Sequence, residues 1–209
     1  MRTLIVMINS TANDIVSGPT GDEGSLVWAD ADNIEDLSGM LLASMADVDT
    51  ILLGRITYEF FIKQWPLVEE WPDVSDVVLA LGEKINTTPK IVVSGHPIEG
   101  LTWGRFEAPT ELTGTDVLTR IEELKSRDGG AVMTFGSLTL VQALTDANLV
   151  DEYHLSVYPV VMHEGRHLFE NLSARVDLEL ISAETSAHGA MLVKYAVAEA
   201  RAARPDPMP

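Results

Sequence analysis

The sequence predicts an α/β fold, in which a mostly parallel, twisted sheet carries helices on both faces and ends in antiparallel C-terminal strands. Two observations support this three-layer arrangement. Through the first 150 residues, short continuous apolar runs alternate with segments of helical periodicity. After residue 150 the helical pattern stops, and apolar residues alternate with polar ones, as in antiparallel strands with one solvated face.

Four apolar runs are predicted to be the buried strands. Continuous runs of this length are typical of parallel strands that helices cover on both sides. The runs are TLIVMI (3–8), TILL (50–53), KIVVS (90–94) and AVMTF (131–135).

Two segments between these runs show the spacing of amphipathic helices. The first spans 34–48 and the second spans 115–127, where Gly129-Gly130 provides a stop signal. The apolar positions of one face are Leu37, Leu41, Met45 and Val48 in the first segment, and Val117, Ile121 and Leu124 in the second.

The antiparallel part is predicted from three alternating segments near the C-terminus. They span residues 151–161, 174–184 and 190–200. We expect one domain over residues 1–199, because no linker composition interrupts it, and a frayed tail over 200–209, which is rich in proline.

Composition restricts the classes of function. The chain has 14 Lys and Arg against 32 Asp and Glu, a net charge of −18, which repels nucleic-acid phosphates and anionic membrane surfaces. It has no cysteine, which excludes disulfides, thiolate catalysis and cysteine-ligated metals, and fits a cytoplasmic location. The early apolar run Leu4–Ile8 is too short for a signal peptide or a membrane span.

Two joints between a strand and a helix are candidates for phosphate binding. TILL leads into Gly54-Arg55-Ile56-Thr57, and AVMTF leads into Gly136-Ser137. A helix that begins after a parallel strand presents free N–H groups to an anion, and Arg55 adds a guanidinium. Ordinary helix capping is the simpler explanation of either joint taken alone, and it is the pair of joints in one parallel sheet that favours phosphate binding.

These joints resemble those of the dihydrofolate-reductase-like family. The resemblance rests on LLGRITYEFF (52–61), QWP (64–66), KIVVS and the long segment 129–169. Within that family, the chain is most similar to the C-terminal reductase domain of the bacterial riboflavin-biosynthesis deaminase-reductase and its stand-alone relatives. Membership implies an NADPH cleft, a reversed C-terminal strand and often a homodimer.

The resemblance also implies which residues hold the cofactor. The Gly-Arg-x-Thr turn would hold phosphates, the end of the KIVVS strand would meet the adenosine phosphate, and the Gly-Ser helix start would hold the pyrophosphate. The corresponding residues are Gly54, Arg55, Thr57, Val93, Ser94, Gly136, Ser137, Leu138, Thr139 and Leu140.

The chain departs from the family near its substrate residues. The first strand of the family commonly ends in Ser-Leu-Asp-Gly, whereas Asn13-Asp14 is the nearest match here. In dihydrofolate reductase an acid shortly after a tryptophan anchors the pterin, which makes Asp32 and Trp28 the catalytic candidates, with Asp30 as a neighbour. Few basic residues are present for a ribose phosphate, which favours a different, unphosphorylated substrate.

The segment MHEGRHLF (162–169) contains the zinc-protease sequence motif H-E-x-x-H at His163, Glu164 and His167. That motif requires a helix, but the upstream residues alternate as a strand and Gly165 lies inside it. The corresponding family segment is a loop, so we predict a loop and no metal. The third zinc ligand would have to be Glu179 or Glu184, both in sequence typical of strands.

The resulting hypothesis is an NADPH-dependent reductase of a small C=N or C=O compound similar to a pterin, a pyrimidine or a riboflavin precursor. Water or Asp32 would deliver the proton, and no nucleophile is needed. The alternative is a dimeric, non-catalytic protein that binds a nucleotide or another ligand with the same fold. A zinc metalloprotease is the remote third possibility.

Overall fold

The computed structural model describes residues 1–19 and 31–198. The strands are β1 Leu4–Thr11, β2 Ile15–Ser17, β3 Val48–Gly54, β4 Lys90–Ser94, β5 Thr110–Thr113, β6 Ala131–Phe135, β7 Glu152–Tyr158, β8 Arg166–His167, β9 Leu178–Thr185 and β10 Met191–Val197. The α-helices are α1 Ala31–Ser44, α2 Arg55–Phe61, α3 Asp76–Thr87, α4 Val117–Ser126 and α5 Leu138–Asp146, and a 3₁₀ helix spans Trp65–Glu70.

A single large sheet organises the described residues. Its eight strands lie in the order β5-β4-β3-β6-β1-β7-β10-β9. The strands from β5 to β7 are parallel, and β10 is antiparallel to both of its neighbours. β2 and β8 form a separate antiparallel pair. The predicted fold class, with its reversed C-terminal strands, is confirmed.

Strand β1 lies at the centre of the sheet and is buried on both faces. Leu4, Val6 and Ile8 belong to the core that α4 and α5 cover. Ile5 and Met7 belong to the opposite core, beneath α1 and α3. Successive side chains of a strand point to opposite faces, so the continuous apolar run supplies both cores at once.

The observed element boundaries differ from the predictions in one instructive place. β4 and β6 match KIVVS and AVMTF residue for residue. The helix predicted over 34–48 was wrong at its C-terminal end, because α1 stops at Ser44 and Val48 begins β3. Val48 is buried in β3, where it pairs with Ala131 of β6. Its helical spacing from the apolar residues of α1 is therefore a coincidence. Helix α3 and the short strands β2, β5 and β8 were not predicted.

An ion pair between a buried lysine and a partly exposed aspartate fixes the start of the central strand. Lys125 at the end of α4 lies 2.6 Å from Asp151, just before β7. The same carboxylate accepts the backbone N–H of Leu4 at 2.7 Å. One acid therefore links α4, β7 and the first residue of β1.

A second buried cation, Lys90, lies at the start of β4. Its ammonium donates to the carbonyls of Asn86 at 3.0 Å and Thr88 at 2.7 Å, and lies 4.5 Å from the ring centre of Trp103. Burial lowers the pKa of Lys90 to about 8, against a smaller opposing effect of Glu107.

Lys90 should make stability depend on pH in the alkaline range. The pKa of Lys90 is about 8 in the folded protein and 10.5 in the reference state, so between these values the unfolded chain binds more protons. The free energy of unfolding should rise with pH through this window, relative to Lys90→Met, by at most about 3 kcal/mol. Urea unfolding of both proteins at several pH values measures the difference. A difference that stays constant from pH 7 to 10.5 would contradict the prediction.

Candidate active site

Two joints between strand and helix meet at the carboxyl ends of neighbouring strands. Gly54 connects β3 to α2, and Gly136 with Ser137 connects β6 to α5. β3 and β6 are paired in parallel, so both joints lie at their carboxyl ends. β4 pairs on the other side of β3 and places Val93 opposite Gly54. Three of the predicted cofactor segments are therefore neighbours in space.

Ser137 joins the two connections by hydrogen bonds. Its hydroxyl accepts the backbone N–H of Gly54 at 2.7 Å and lies 3.0 Å from Thr57 Oγ1. The backbone N–H of Ser137 donates to Thr57 Oγ1 at 2.9 Å. These contacts hold the start of α2 against the start of α5.

The close approach of the joints explains their small residues. A Cβ at Gly54 would lie 3.1 Å from the Cβ and Oγ of Ser137, and a Cβ at Gly136 would lie 3.2 Å from Thr57 Oγ1. Gly136 also has a φ of +52°. Ser137 adopts the left-handed region at φ 59°, a strained conformation for a residue with a side chain, which clusters at functional sites.

A cleft of about 710 Å³ runs along the carboxyl ends of the parallel strands. Crevices at the carboxyl ends of the strands are the usual ligand sites of open α/β sheets. All ten predicted cofactor residues line the cleft, namely Gly54, Arg55, Thr57, Val93, Ser94, Gly136, Ser137, Leu138, Thr139 and Leu140. The structure thus brings these residues together, while their role with a cofactor stays a prediction.

The charge of the cleft is opposite in sign to that of the whole chain. Among its described lining residues there is no Asp, Glu, Lys or His, and the charged groups are Arg55 and Arg166. Arg55 is paired with Glu59 at 2.9 Å, and Arg166 with Glu170 at 2.7 Å. The cleft therefore offers two guanidiniums to an anionic ligand within a chain of net charge −18.

Aromatic side chains form one wall of the cleft and were not predicted as site residues. Phe60, Phe61, Trp65 and Trp71 are half-buried, and all four line the cleft. Large aromatic residues that are incompletely covered beside a cavity are the signal that could have identified them. Asn9, Ser156 and Tyr158 of the central strands, and residues of α1, also line the cleft.

The family described as RibD C-terminal domain matches residues 35–192. The chain belongs to this family. It is 24% identical over 194 residues to the Bacillus subtilis (strain 168) uncharacterized protein YyaP, covering 93% of this chain and 94% of that protein. This finding confirms the resemblance seen in the sequence.

Solved structures of similar fold include two reductase-related proteins. A pyrimidine reductase-like protein from Corynebacterium diphtheriae has a TM-score of 0.60 at 14% identity, covering 95% of this chain and 92% of that one. Dihydrofolate reductase from Enterococcus faecalis, complexed with NADP(H), has a TM-score of 0.58 at 12% identity, covering 94% and 97%. Family membership supports a reductase role in general terms.

Of the two predicted catalytic residues, the structure describes Asp32 alone and places it away from the cleft. Asp32 is exposed in the first turn of α1 and does not line the cleft, whereas Ile34, Leu37 and Leu41 of the same helix do. Trp28, like Asp30, lies outside the described residues. The residues that α1 contributes to the cleft are thus apolar, except for Ser38.

The altered end of β1 has a structural role. Asn13 donates its amide to the carbonyl of Met162 at 2.9 Å, and its Oδ1 accepts the N–H of Met162 at 3.1 Å. Asn13 therefore binds the loop that contains the H-E-x-x-H sequence motif.

That loop does not have the backbone of a zinc helix. Residues 163–165 are irregular, and His167 belongs to β8, where it pairs with Ile15. Gly165 has a φ of +148°, and a Cβ there would lie 2.3 Å from Ile15 Cγ2. The predicted loop is therefore confirmed for residues 162–165, whereas Arg166–His167 form a short strand. Within residues 1–19 and 31–198, no group of three or more His, Asp or Glu side chains is placed to hold a metal.

The described helices give no indication of a membrane span, since none of them combines the necessary length with sufficient apolar character.

The link between the joints can be measured by a double-mutant cycle. Ser137→Ala removes the acceptor of the Gly54 N–H, and Thr57→Val removes the acceptor of the Ser137 N–H. Each variant should lose about 1 to 2 kcal/mol of unfolding free energy, with a coupling of about 1 kcal/mol, because both hydroxyls belong to one network. Ser126→Ala, which removes an exposed hydroxyl that bonds to Glu123, is the control and should change stability by less than about 0.5 kcal/mol. Strictly additive losses would contradict the network.

Proposed function

We propose that this protein is an NADPH-dependent reductase that transfers hydride to a small C=N or C=O substrate. The observation that carries the proposal is the pair of hydrogen-bonded joints at the edge of a cleft whose described lining has no carboxylate. The NADP(H) complex of the Enterococcus faecalis enzyme of similar fold gives further support.

The residues of the cleft fit the phosphates of a dinucleotide. The first intrahelical bond of α5 runs from the N–H of Val141 to the carbonyl of Ser137. The N–H groups of residues 138–140 in the preceding turn have no partner within the helix, and these residues line the cleft. Such N–H groups, with glycine at both joints, suit a pyrophosphate.

Arg55 and Ser94 would hold a phosphate on the adenosine ribose. Both line the cleft, and they belong to the adjacent elements α2 and β4. The side chain of Ser94 accepts the N–H of His96 at 3.3 Å, which leaves its hydroxyl proton for a ligand. A reduced nicotinamide supplies hydride when bound, while the protein excludes water and orients the two reactants.

The preference for NADPH over NADH tests the role of Arg55. NADPH should raise the thermal stability more than NADH, since it alone carries the additional phosphate. Arg55→Ala should remove most of this difference, about 1.5 to 3 kcal/mol of binding free energy. Glu59→Gln should increase the preference, because it releases the guanidinium from its 2.9 Å ion pair.

Arg105→Ala is the matched control, since Arg105 also forms an exposed ion pair, with Glu69, and does not line the cleft. Equal stabilisation of the wild type by NADPH and NADH would contradict the role of Arg55. No stabilisation by either nucleotide would contradict the reductase proposal.

The same lining also favours a second candidate, a dimeric ligand-binding protein without turnover. The described part of the cleft supplies no acid to protonate a product, and Asp32 lies outside it. Oxidation of NADPH in a substrate screen would exclude this candidate.

The exposed edge of the sheet supports a homodimer. β9 is an eight-residue edge strand without lysine or proline, residues that commonly protect such edges. Its consecutive residues Leu180 and Ile181 are 61% and 50% exposed. Pairing with the same strand of a second chain would satisfy the free backbone groups and cover one of these side chains.

Light scattering should therefore give twice the 22.8 kDa of one chain at micromolar concentration. Ile181→Lys should shift the protein toward a single chain, because the added charge opposes burial of the edge. Val161→Lys, at an apolar residue that is exposed but lies outside β9, should leave the dimer intact. A single-chain mass for the wild type would refute the dimer.

A further inference from the structure

The cleft has two chemically different halves. One half consists of the joints and the first turn of α5, which the proposed function assigns to the cofactor. The other half, which we call the aromatic half, lies on the opposite face of the sheet, beneath α1 and α3. It consists of Phe60, Phe61, Trp65, Trp71, Leu37, Leu41, Val78 and Leu81.

The aromatic half is a continuous wall of rings. Phe61 lies 5.7 Å from Phe135 and 6.0 Å from Trp65, and Trp65 lies 5.6 Å from Trp71, all measured between ring centres. Each of the wall residues 60, 61, 65 and 71 is half-buried, so part of its ring is covered by protein and part is available to the cleft. Partly exposed aromatic rings beside a cavity suit a flat aromatic ligand.

The core of the protein holds this wall in place. The side-chain amide of Asn86 donates to the carbonyl of Trp65 at 2.8 Å, and its Oδ1 accepts the indole N–H of Trp103 at 2.8 Å. Trp103 and Asn86 are buried. The wall is therefore built before any ligand arrives, which lowers the ordering cost of binding.

The described residues of the aromatic half offer little to a charged substrate. Ser38 donates its hydroxyl to the carbonyl of Ile34 at 2.6 Å, and Gln64 contributes an uncharged amide. Of the two cationic residues in the described lining, Arg55 belongs to the cofactor half. Arg166 lies in a segment that packs on the other face, where Gln142 of α5 donates to the carbonyl of Glu170. A phosphate or a pterin cation placed against these rings would lose its hydration without an opposite charge.

We propose that the substrate is a planar, uncharged, mainly apolar aromatic carbonyl or imine compound without a phosphate group. This inference rests on the proposed function and specifies its substrate class. In the reaction, hydride adds to the carbon of C=O or C=N, and the π electron pair moves to the oxygen or nitrogen, which takes a proton from water. NADPH is oxidised to NADP⁺ as the substrate is reduced to an alcohol or an amine.

Binding of an uncharged dye tests the aromatic half independently of turnover. Nile red should bind the wild type with increased fluorescence, and Trp71→Ala or Phe60→Leu should weaken its binding at least tenfold. Leu67→Ala is the matched control, because Leu67 lies on the same 3₁₀ helix as Trp65 but does not line the cleft. Folate should not displace the dye. Displacement by folate, or equal binding of Nile red by wild type and both variants, would overturn the proposal.

NADPH oxidation with 9,10-phenanthrenequinone and with dihydrofolate provides the second arm. We expect turnover of the quinone, reduced at least tenfold by Trp71→Ala, and none of dihydrofolate. Turnover of dihydrofolate alone would overturn the substrate class while leaving the reductase proposal intact. Dye binding through the aromatic half without oxidation of NADPH by either compound would overturn the reductase proposal, and the substrate assignment with it.

Discussion

The hydrogen bonds of Ser137 are the constraint on which the rest of the site depends. Ser137 occupies the left-handed region at the start of α5, accepts the N–H of Gly54 and donates its own N–H to Thr57. The ends of two neighbouring strands are thereby hydrogen-bonded to each other, although the two joints are 80 residues or more apart in the chain. The glycines on each side follow from this contact, because a Cβ at either would crowd the partner joint. The backbone N–H groups that begin α5 are left beside the cleft.

Charge is distributed unevenly between the surface and the cleft. The chain carries −18, yet the described lining of the cleft carries two arginines and no carboxylate. Each arginine is held by a glutamate four residues further along the chain, Arg55 by Glu59 and Arg166 by Glu170. The strong net negative charge repels anions from most of the surface. A dinucleotide would therefore bind only where local cationic groups outweigh the negative potential of the whole chain.

The sequence predicted the centre of the sheet well because its parallel strands are buried on both faces. KIVVS and AVMTF are largely apolar, and glycine follows each of them at Gly95 and Gly136, so the sequence alone indicates their bounds. The joints were predicted for the same reason. The aromatic half was missed, since Phe60 and Trp65 look like ordinary core residues until the cavity beside them is seen. The sequence points to Asp32 through its spacing after a tryptophan, but spacing alone does not determine which side of α1 faces the cleft. Val48 shows the same limit, because a local period cannot tell the end of a helix from the start of a buried strand.

The central claim is that the linked joints bind the phosphates of NADPH. A crystal structure of the protein soaked with NADP⁺ tests it most directly. The predicted result places the pyrophosphate within hydrogen-bond distance of the backbone N–H groups of residues 138–140, with the ribose phosphate on the guanidinium of Arg55 and the nicotinamide facing the aromatic half. A cofactor bound elsewhere, or a cleft that stays empty at saturating NADP⁺, would contradict it.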